Sequence, residues 1–153
     1  MRLVLDTSFL VELRRGSERG ASALRREGRE AEDVAISAIT KYELMVGAYY
    51  AWCKRGDARE RLWLDDVLSW LTVVELSEEA IKRAARVRAR ALLQGRSIPD
   101  ADLLVAVTAD PPLKLLTFDS DHERVSDLLE EVGVKVVYLG ERPVQPSGGA
   151  SRR

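Results

Sequence analysis

The 153-residue chain has the size of one ordinary domain, and its 46% apolar content is enough for a hydrophobic core of its own. The formal net charge of -1 selects no partner, and the single cysteine, Cys53, excludes an internal disulfide and a Cys-rich zinc site. No apolar run approaches the roughly 20 residues that cross a bilayer, and the first turn of sequence lacks the features of a signal peptide, so a cytoplasmic protein with no membrane association is expected.

In chain order, Leu3-Val4-Leu5 is a short apolar run that stops at Asp6, and Phe9, Leu10 and Leu13 then recur at helical spacing, which predicts a strand followed by a helix. A polar, Arg-rich helix is expected over 17–29 and a second buried strand over 34–37. Thr40 opens a helix over 40–54, in which Cys53 reads as a buried apolar filler, and Arg55-Gly56-Asp57 breaks it. Residues 58–70 carry Leu62, Leu64, Val67 and Leu68 as an apolar stripe, and 72–76 reads as a strand. Ser77 followed by two glutamates starts a long helix that stops at Gln94-Gly95, since a serine cap and first-turn acids favour the beginning and glycine the end. Pro99 then opens a helix closed by Asp110-Pro111-Pro112. A strand over 113–118, a helix over 120–132 ended by Gly133, and a strand over 134–139 complete the pattern.

Alternating strands and helices imply a parallel sheet covered on both faces, with the carboxyl ends of the strands gathered along one edge as the ligand crevice. The expected organisation is one domain over 1–140 and a flexible tail over 141–153, whose two prolines and Ser147-Gly148-Gly149 run leave too little apolar content to pack.

Carboxylates are costly to bury, so the informative acids are those that follow or interrupt apolar runs. Asp6 follows Leu3-Val4-Leu5, Glu43 sits among Tyr42, Leu44 and Met45, Asp102 precedes Leu103-Leu104-Val105-Ala106, and Asp119 follows Leu115-Leu116-Thr117-Phe118. Brought together, like charges repel and raise each other's pKa unless divalent cations neutralise them. Carboxylate, hydroxyl and water ligands with no Cys or His set favour Mg²⁺ or Mn²⁺, ions that activate water for in-line attack on a phosphodiester. Each acid also has an ordinary reading: Glu43 as the partner of Thr40 in a capping box, Asp6 and Asp119 as turn formers at strand ends, and Asp100 or Asp102 as the cap of the helix after Ile98-Pro99.

Taken in order, Leu3-Val4-Leu5-Asp6-Thr7-Ser8, Thr40-Lys41-Tyr42-Glu43-Leu44, Ile98-Pro99-Asp100-Ala101-Asp102-Leu103-Leu104 and Leu116-Thr117-Phe118-Asp119 resemble the motifs of the PIN domain, and the closest look is to VapC-type toxin ribonucleases paired with an antitoxin. The resemblance implies a three-layer α/β/α sandwich around a central, mainly parallel sheet, Mg²⁺- or Mn²⁺-dependent endoribonuclease activity on an RNA substrate, a cognate antitoxin protein as partner, and a homodimer. It assigns catalytic roles to Asp6, Glu43, Asp102 and Asp119, with Asp6, Asp102 and Asp119 as metal ligands, and auxiliary roles to Ser8, Thr117 and Asp121. Ser8 stands where many relatives carry Asn, and Asp100 is ambiguous with Asp102. A PIN-like RNA-binding or assembly module without cleavage, and a housekeeping RNA-processing nuclease, are the alternatives. A phosphohydrolase using Asp6 is disfavoured, because no second acid stands two residues later.

His122, the only histidine, is expected at the surface, and with a cation to activate water no histidine base is required. Arg14, Arg15, Arg25, Arg26 and Arg29, and separately Arg83, Arg86 and Arg90, are either phosphate contacts or solvated helix faces. Tyr49-Tyr50-Ala51-Trp52 places more aromatic surface on one helix than a single face can bury, which predicts exposed rings and an interface for a second copy or a partner.

Overall fold

The computed structural model describes residues 1–141, so the expected tail lies, apart from Glu141, outside the described residues. The strands are β1 Arg2–Leu5, β2 Val34–Ser37, β3 Thr72–Val74, β4 Leu113–Thr117 and β5 Val134–Tyr138. The helices are α1 Thr7–Arg14, α2 Glu18–Gly28, α3 Ala38–Arg55, α4 Arg59–Leu68, α5 Glu78–Leu93, α6 Asp100–Val107, α7 Ser120–Arg124 and α8 Ser126–Glu131. The strands form one all-parallel sheet in the order β3-β2-β1-β4-β5.

Alternation along each strand supplies both faces of the sheet. Val4, Leu113, Leu115 and Val134 pack with Ala84, Val87, Leu103, Ala106 and Leu128 beneath α5, α6 and α8. Leu3, Leu5, Ile36 and Leu116 pack with Phe9, Leu10, Ala23, Leu44 and Leu64 beneath α1 to α4. The result is the three-layer α/β/α sandwich that a two-sided apolar parallel sheet requires. From β1 the chain progresses through β2 to β3 on one side, then crosses to β4 and β5 on the other. The change of direction leaves a crevice beyond the carboxyl ends of β1 and β4, where open parallel sheets bind their ligands.

Local chemistry sets the helix boundaries. Ser17 and Ser77 accept hydrogen bonds from the backbone N–H groups of Gly20 and Ala80 as N-caps of α2 and α5. Gly56 ends α3 with a positive φ of 61°, a conformation that glycine adopts without a Cβ penalty. Two expected boundaries are corrected. The helix expected from Thr40 begins at Ala38, because Ser37, the last residue of β2, accepts the N–H of Ile39 and caps it directly. The single helix expected over 120–132 is two, since at Val125 the backbone leaves helical geometry (φ -117°, ψ 20°) as the side chain turns fully into the core.

Candidate active site

Two acids stand at the crevice because their strands end there. Leu5 is in register with Leu116, and the Asp6 N–H bonds the Leu116 carbonyl at 3.0 Å, so the residues that leave β1 and β4 start side by side. Asp6 and Asp119 then each cap the following helix, Asp6 accepting from the N–H of Ser8 (3.3 Å) and Asp119 from that of Asp121 (2.8 Å). The ordinary reading of these two acids, as residues that turn the chain at strand ends, is therefore correct. Asp6 is buried and takes three hydrogen bonds, from Ser8 N, Ser8 Oγ (2.5 Å) and Thr117 Oγ1 (2.9 Å), all on Oδ2.

Ser8 and Thr117 hold this arrangement together. Ser8 Oγ also accepts from the N–H of Phe118 at 3.0 Å, and Thr117 Oγ1 accepts from that of Asp119 at 2.9 Å, so each hydroxyl ties the exit of β1 to the exit of β4. Through these bonds the two hydroxyls orient Asp6 and the backbone that carries Asp119.

Asp102 comes from another direction, in the first turn of α6, where the helix dipole favours its ionised form by about 0.3–1 kcal/mol. Stronger influences oppose the dipole. Burial, then the charges of Asp119 and Asp6, then hydrogen bonds shared with Asp121 and Asp119, push the Asp102 pKa up to about 7. Among the described residues, carboxylate oxygens of Asp102, Asp119 and Asp121 lie within 4.8 Å of one another, as do ligand atoms of Asp6, Asp119 and His122. Asp119 belongs to both sets. The all-oxygen set of Asp102, Asp119 and Asp121 has the donor chemistry of a hard divalent cation such as Mg²⁺ or Mn²⁺, and Asp6 adjoins it through the shared Asp119.

The remaining sequence candidates divide. Asp100 is not part of the cluster: its side chain is 82% exposed and lies 3.9 Å from Arg88, so the ambiguity falls to Asp102. Glu43 stands outside both carboxylate sets and is no capping-box partner, since Thr40 lies inside α3. Its Oε1 instead accepts a 2.6 Å bond from Thr7 Oγ1, which is also 3.0 Å from Thr40 Oγ1. Thr7, next to Asp6, thus couples Glu43 to the edge of the site, a role the sequence reading missed.

Three other expectations are overturned. His122 is buried with both ring nitrogens bonded, Nδ1 to Thr117 Oγ1 and Nε2 to the Asp102 carbonyl. Its position on a stripe with Phe118, Val125 and Leu129 carried the signal for burial. Arg83 is neither phosphate contact nor solvated, because its guanidinium is buried on the carbonyls of Val107 and Ala109. Cys53 is exposed, because the residue that α3 turns toward the core there is Ala51. The expected exposure of the rings is seen: Tyr49, Tyr50 and Trp52 are each more than half exposed. A hollow of about 480 Å³ opens at the opposite edge of the sheet, but Arg2 and Asp33, which line it, already satisfy each other in a two-point pair.

The fold is similar to a chain of the crystal structure of VapBC2 from Rickettsia felis bound to a DNA fragment from their promoter, with a TM-score of 0.74 and 21% identity over 90% of this chain and 98% of that one. It is similar to a chain of VapBC-5, of the VapBC family of toxin-antitoxin systems, from Mycobacterium tuberculosis (0.68, 22%, 90% and 98%). A chain of FitAcB from Neisseria gonorrhoeae matches at 0.66 and 25% identity, over 88% and 95%. No curated protein sequence matches significantly. The PIN domain family matches residues 3–128, from within β1 to the middle of α8 and with every acid of the cluster, and the chain belongs to that family.

Proposed function

We propose that the protein is a Mg²⁺- or Mn²⁺-dependent endoribonuclease, the toxin of a VapBC-type pair, working in the cytoplasm under the control of a cognate antitoxin and as a homodimer. The observation that carries this reading is the pair of overlapping sets at the switch point of the sheet, Asp102–Asp119–Asp121 and Asp6–Asp119–His122, with burial and the charges of Asp119 and Asp6 pushing the Asp102 pKa up to about 7. Asp6, Asp102 and Asp119 would hold the cation, and Asp121 supports them. When bound, the cation supplies charge neutralisation for the scissile phosphate and for the developing charge on its oxygens. The chain's own residues do the rest: Ser8 and Thr117 fix the rotamer of Asp6, and Thr7 holds Glu43 at the rim, where it can accept a proton from an attacking water.

The toxin role is supported by the likeness to VapBC structures along almost the whole of their matching chains. Protein partners are supported by the exposed rings of Tyr42, Tyr49, Tyr50 and Trp52 on α3, a surface that water disfavours. Among the described residues no helix is long and apolar enough to cross a membrane.

The test is cleavage of a panel of single-stranded and structured RNAs with Mg²⁺ or Mn²⁺, comparing the wild type with Asp6→Asn and Asp102→Asn and with EDTA as control. Activity lost in both folded variants and in EDTA is the expected result. Equal activity in all three proteins would refute the carboxylate site, and a folded, Mn²⁺-binding wild type that cleaves nothing would favour a non-cleaving RNA-binding module.

A further inference from the structure

Asp6 and Asp119 are placed by strand pairing, but Asp102 rides on α6, which meets the sheet through Leu103, Ala106 and Val107. Apolar contact of that kind is non-directional and leaves a helix free to slide by fractions of an ångström, whereas a metal site tolerates ligand displacements of only about 0.2 Å. The Ser37–Thr108 hydroxyl bond (2.8 Å) ties the C-terminal end of α6 to the end of β2, and at the N-terminal turn, where Asp102 stands, a buried side chain supplies the directional tie.

His122 is 0% exposed. Its Nε2 lies 2.8 Å from the Asp102 backbone carbonyl, and its Nδ1 lies 3.1 Å from Thr117 Oγ1, the hydroxyl that also bonds Asp6 Oδ2 and the N–H of Asp119 at 2.9 Å each. A carbonyl oxygen only accepts, so Nε2 carries a hydrogen in this arrangement; the single hydrogen of Thr117 Oγ1 is shared between Asp6 Oδ2 and Nδ1 when the ring is neutral, and it is the Nε2 bond that reaches α6. We propose that His122 is a positioning residue, which holds the backbone of Asp102 at a fixed distance from Asp6 and Asp119 so that the three carboxylates meet one cation. The inference rests on the metal-site reading of the cluster. It assigns His122 neither to the ligands nor to proton transfer, since its two nitrogens are already engaged inside the protein.

The test compares His122→Leu, which keeps an apolar group of similar bulk and removes both bonds, with His122→Gln, whose side-chain amide N–H can reach the Asp102 carbonyl. Mn²⁺ affinity is read directly by the electron paramagnetic resonance of the free ion, alongside thermal unfolding in EDTA. The expected result is a 10- to 100-fold weaker Mn²⁺ Kd for His122→Leu, the size found when an outer partner of a metal ligand is removed, with recovery to within a few-fold in His122→Gln. Unchanged affinity in a folded His122→Leu overturns the proposal, and so does equal weakening in both variants, which would mean that the site needs only an imidazole-shaped filler. Should His122→Leu fail to fold, imidazole ¹⁵N spectra of the wild type decide: a protonated Nε2 that exchanges slowly with solvent is expected, and an Nε2 without hydrogen overturns it. A wild type that binds no Mn²⁺ refutes the metal-site reading itself, before any variant is compared.

Discussion

Replacing Asp102 by Asn should stabilise the metal-free protein at alkaline pH. The folded Asp102 titrates at about 7, against 3.8 for the free side chain. Below both values the carboxyl is protonated in folded and unfolded chains alike and contributes nothing. Between them the folded state binds more protons, so stability falls as pH rises, and above pH 7 the full penalty of an ionised Asp102 is present. At 1.36 kcal/mol per pKa unit the undiscounted penalty is about 4 kcal/mol, and solvent screening of this half-buried group reduces it to about 1–2 kcal/mol. In a domain of this size each kcal/mol moves Tm by about 2–4 °C. Asp102→Asn, which keeps the shape and can still hydrogen-bond Asp119 and Asp121, should therefore raise Tm by about 2–8 °C at pH 8 in EDTA, with the gain falling to less than half at pH 5. Differential scanning calorimetry at the two pH values measures both. Saturating the wild type with Mn²⁺ at about 100 times its Kd should reverse the ranking, because it adds about 2.7 kcal/mol that the variant cannot gain in full. A variant no more stable than the wild type at pH 8, or a gain that is the same at pH 5, would refute the account of Asp102 as a carboxylate strained by burial and by its acidic neighbours.

Glu43→Gln should lower RNA cleavage on the order of 10²-fold while leaving the Mn²⁺ Kd within about 3-fold, since Glu43 lies outside both ligand sets; isothermal titration would refute this if affinity fell as far as in Asp6→Asn. Arg83→Met leaves the carbonyls of Val107 and Ala109 buried without their charged donor, and urea unfolding should register a loss of about 2–4 kcal/mol. The specific activity of the folded fraction should be unchanged. Cys53 should react with Ellman's reagent in the native protein, and Cys53→Ser should shift stability by less than about 0.5 kcal/mol. A thiol that reacts only after unfolding would contradict the exposure of that face of α3.

The order of strands and helices was legible because apolar runs and caps are local, and they act on the same residues in sequence and in space. Ser77 and Gly95 mark the two ends of α5 on their own, with Gly95 taking a positive φ of 66° just past the C-cap. Where neighbours compete, the reading slipped: Ser37 could end β2 or cap α3 and does both, which moved the start of that helix back past Thr40. The acids show the same overlap. Asp6 and Asp119 read as turn formers at strand ends, and each does turn the chain there by capping the helix that follows its strand. A parallel sheet with β1 and β4 adjacent brings these two caps side by side at the switch point. What the sequence did not disclose was dependence on third parties. The burial of His122 requires α6 to lie across it, the engagement of Glu43 requires Thr7 to face α3, and the raised pKa of Asp102 requires two strand ends from 96 residues before and 17 after it in the chain. Each of these follows from packing between elements, which periodicity within one element does not encode.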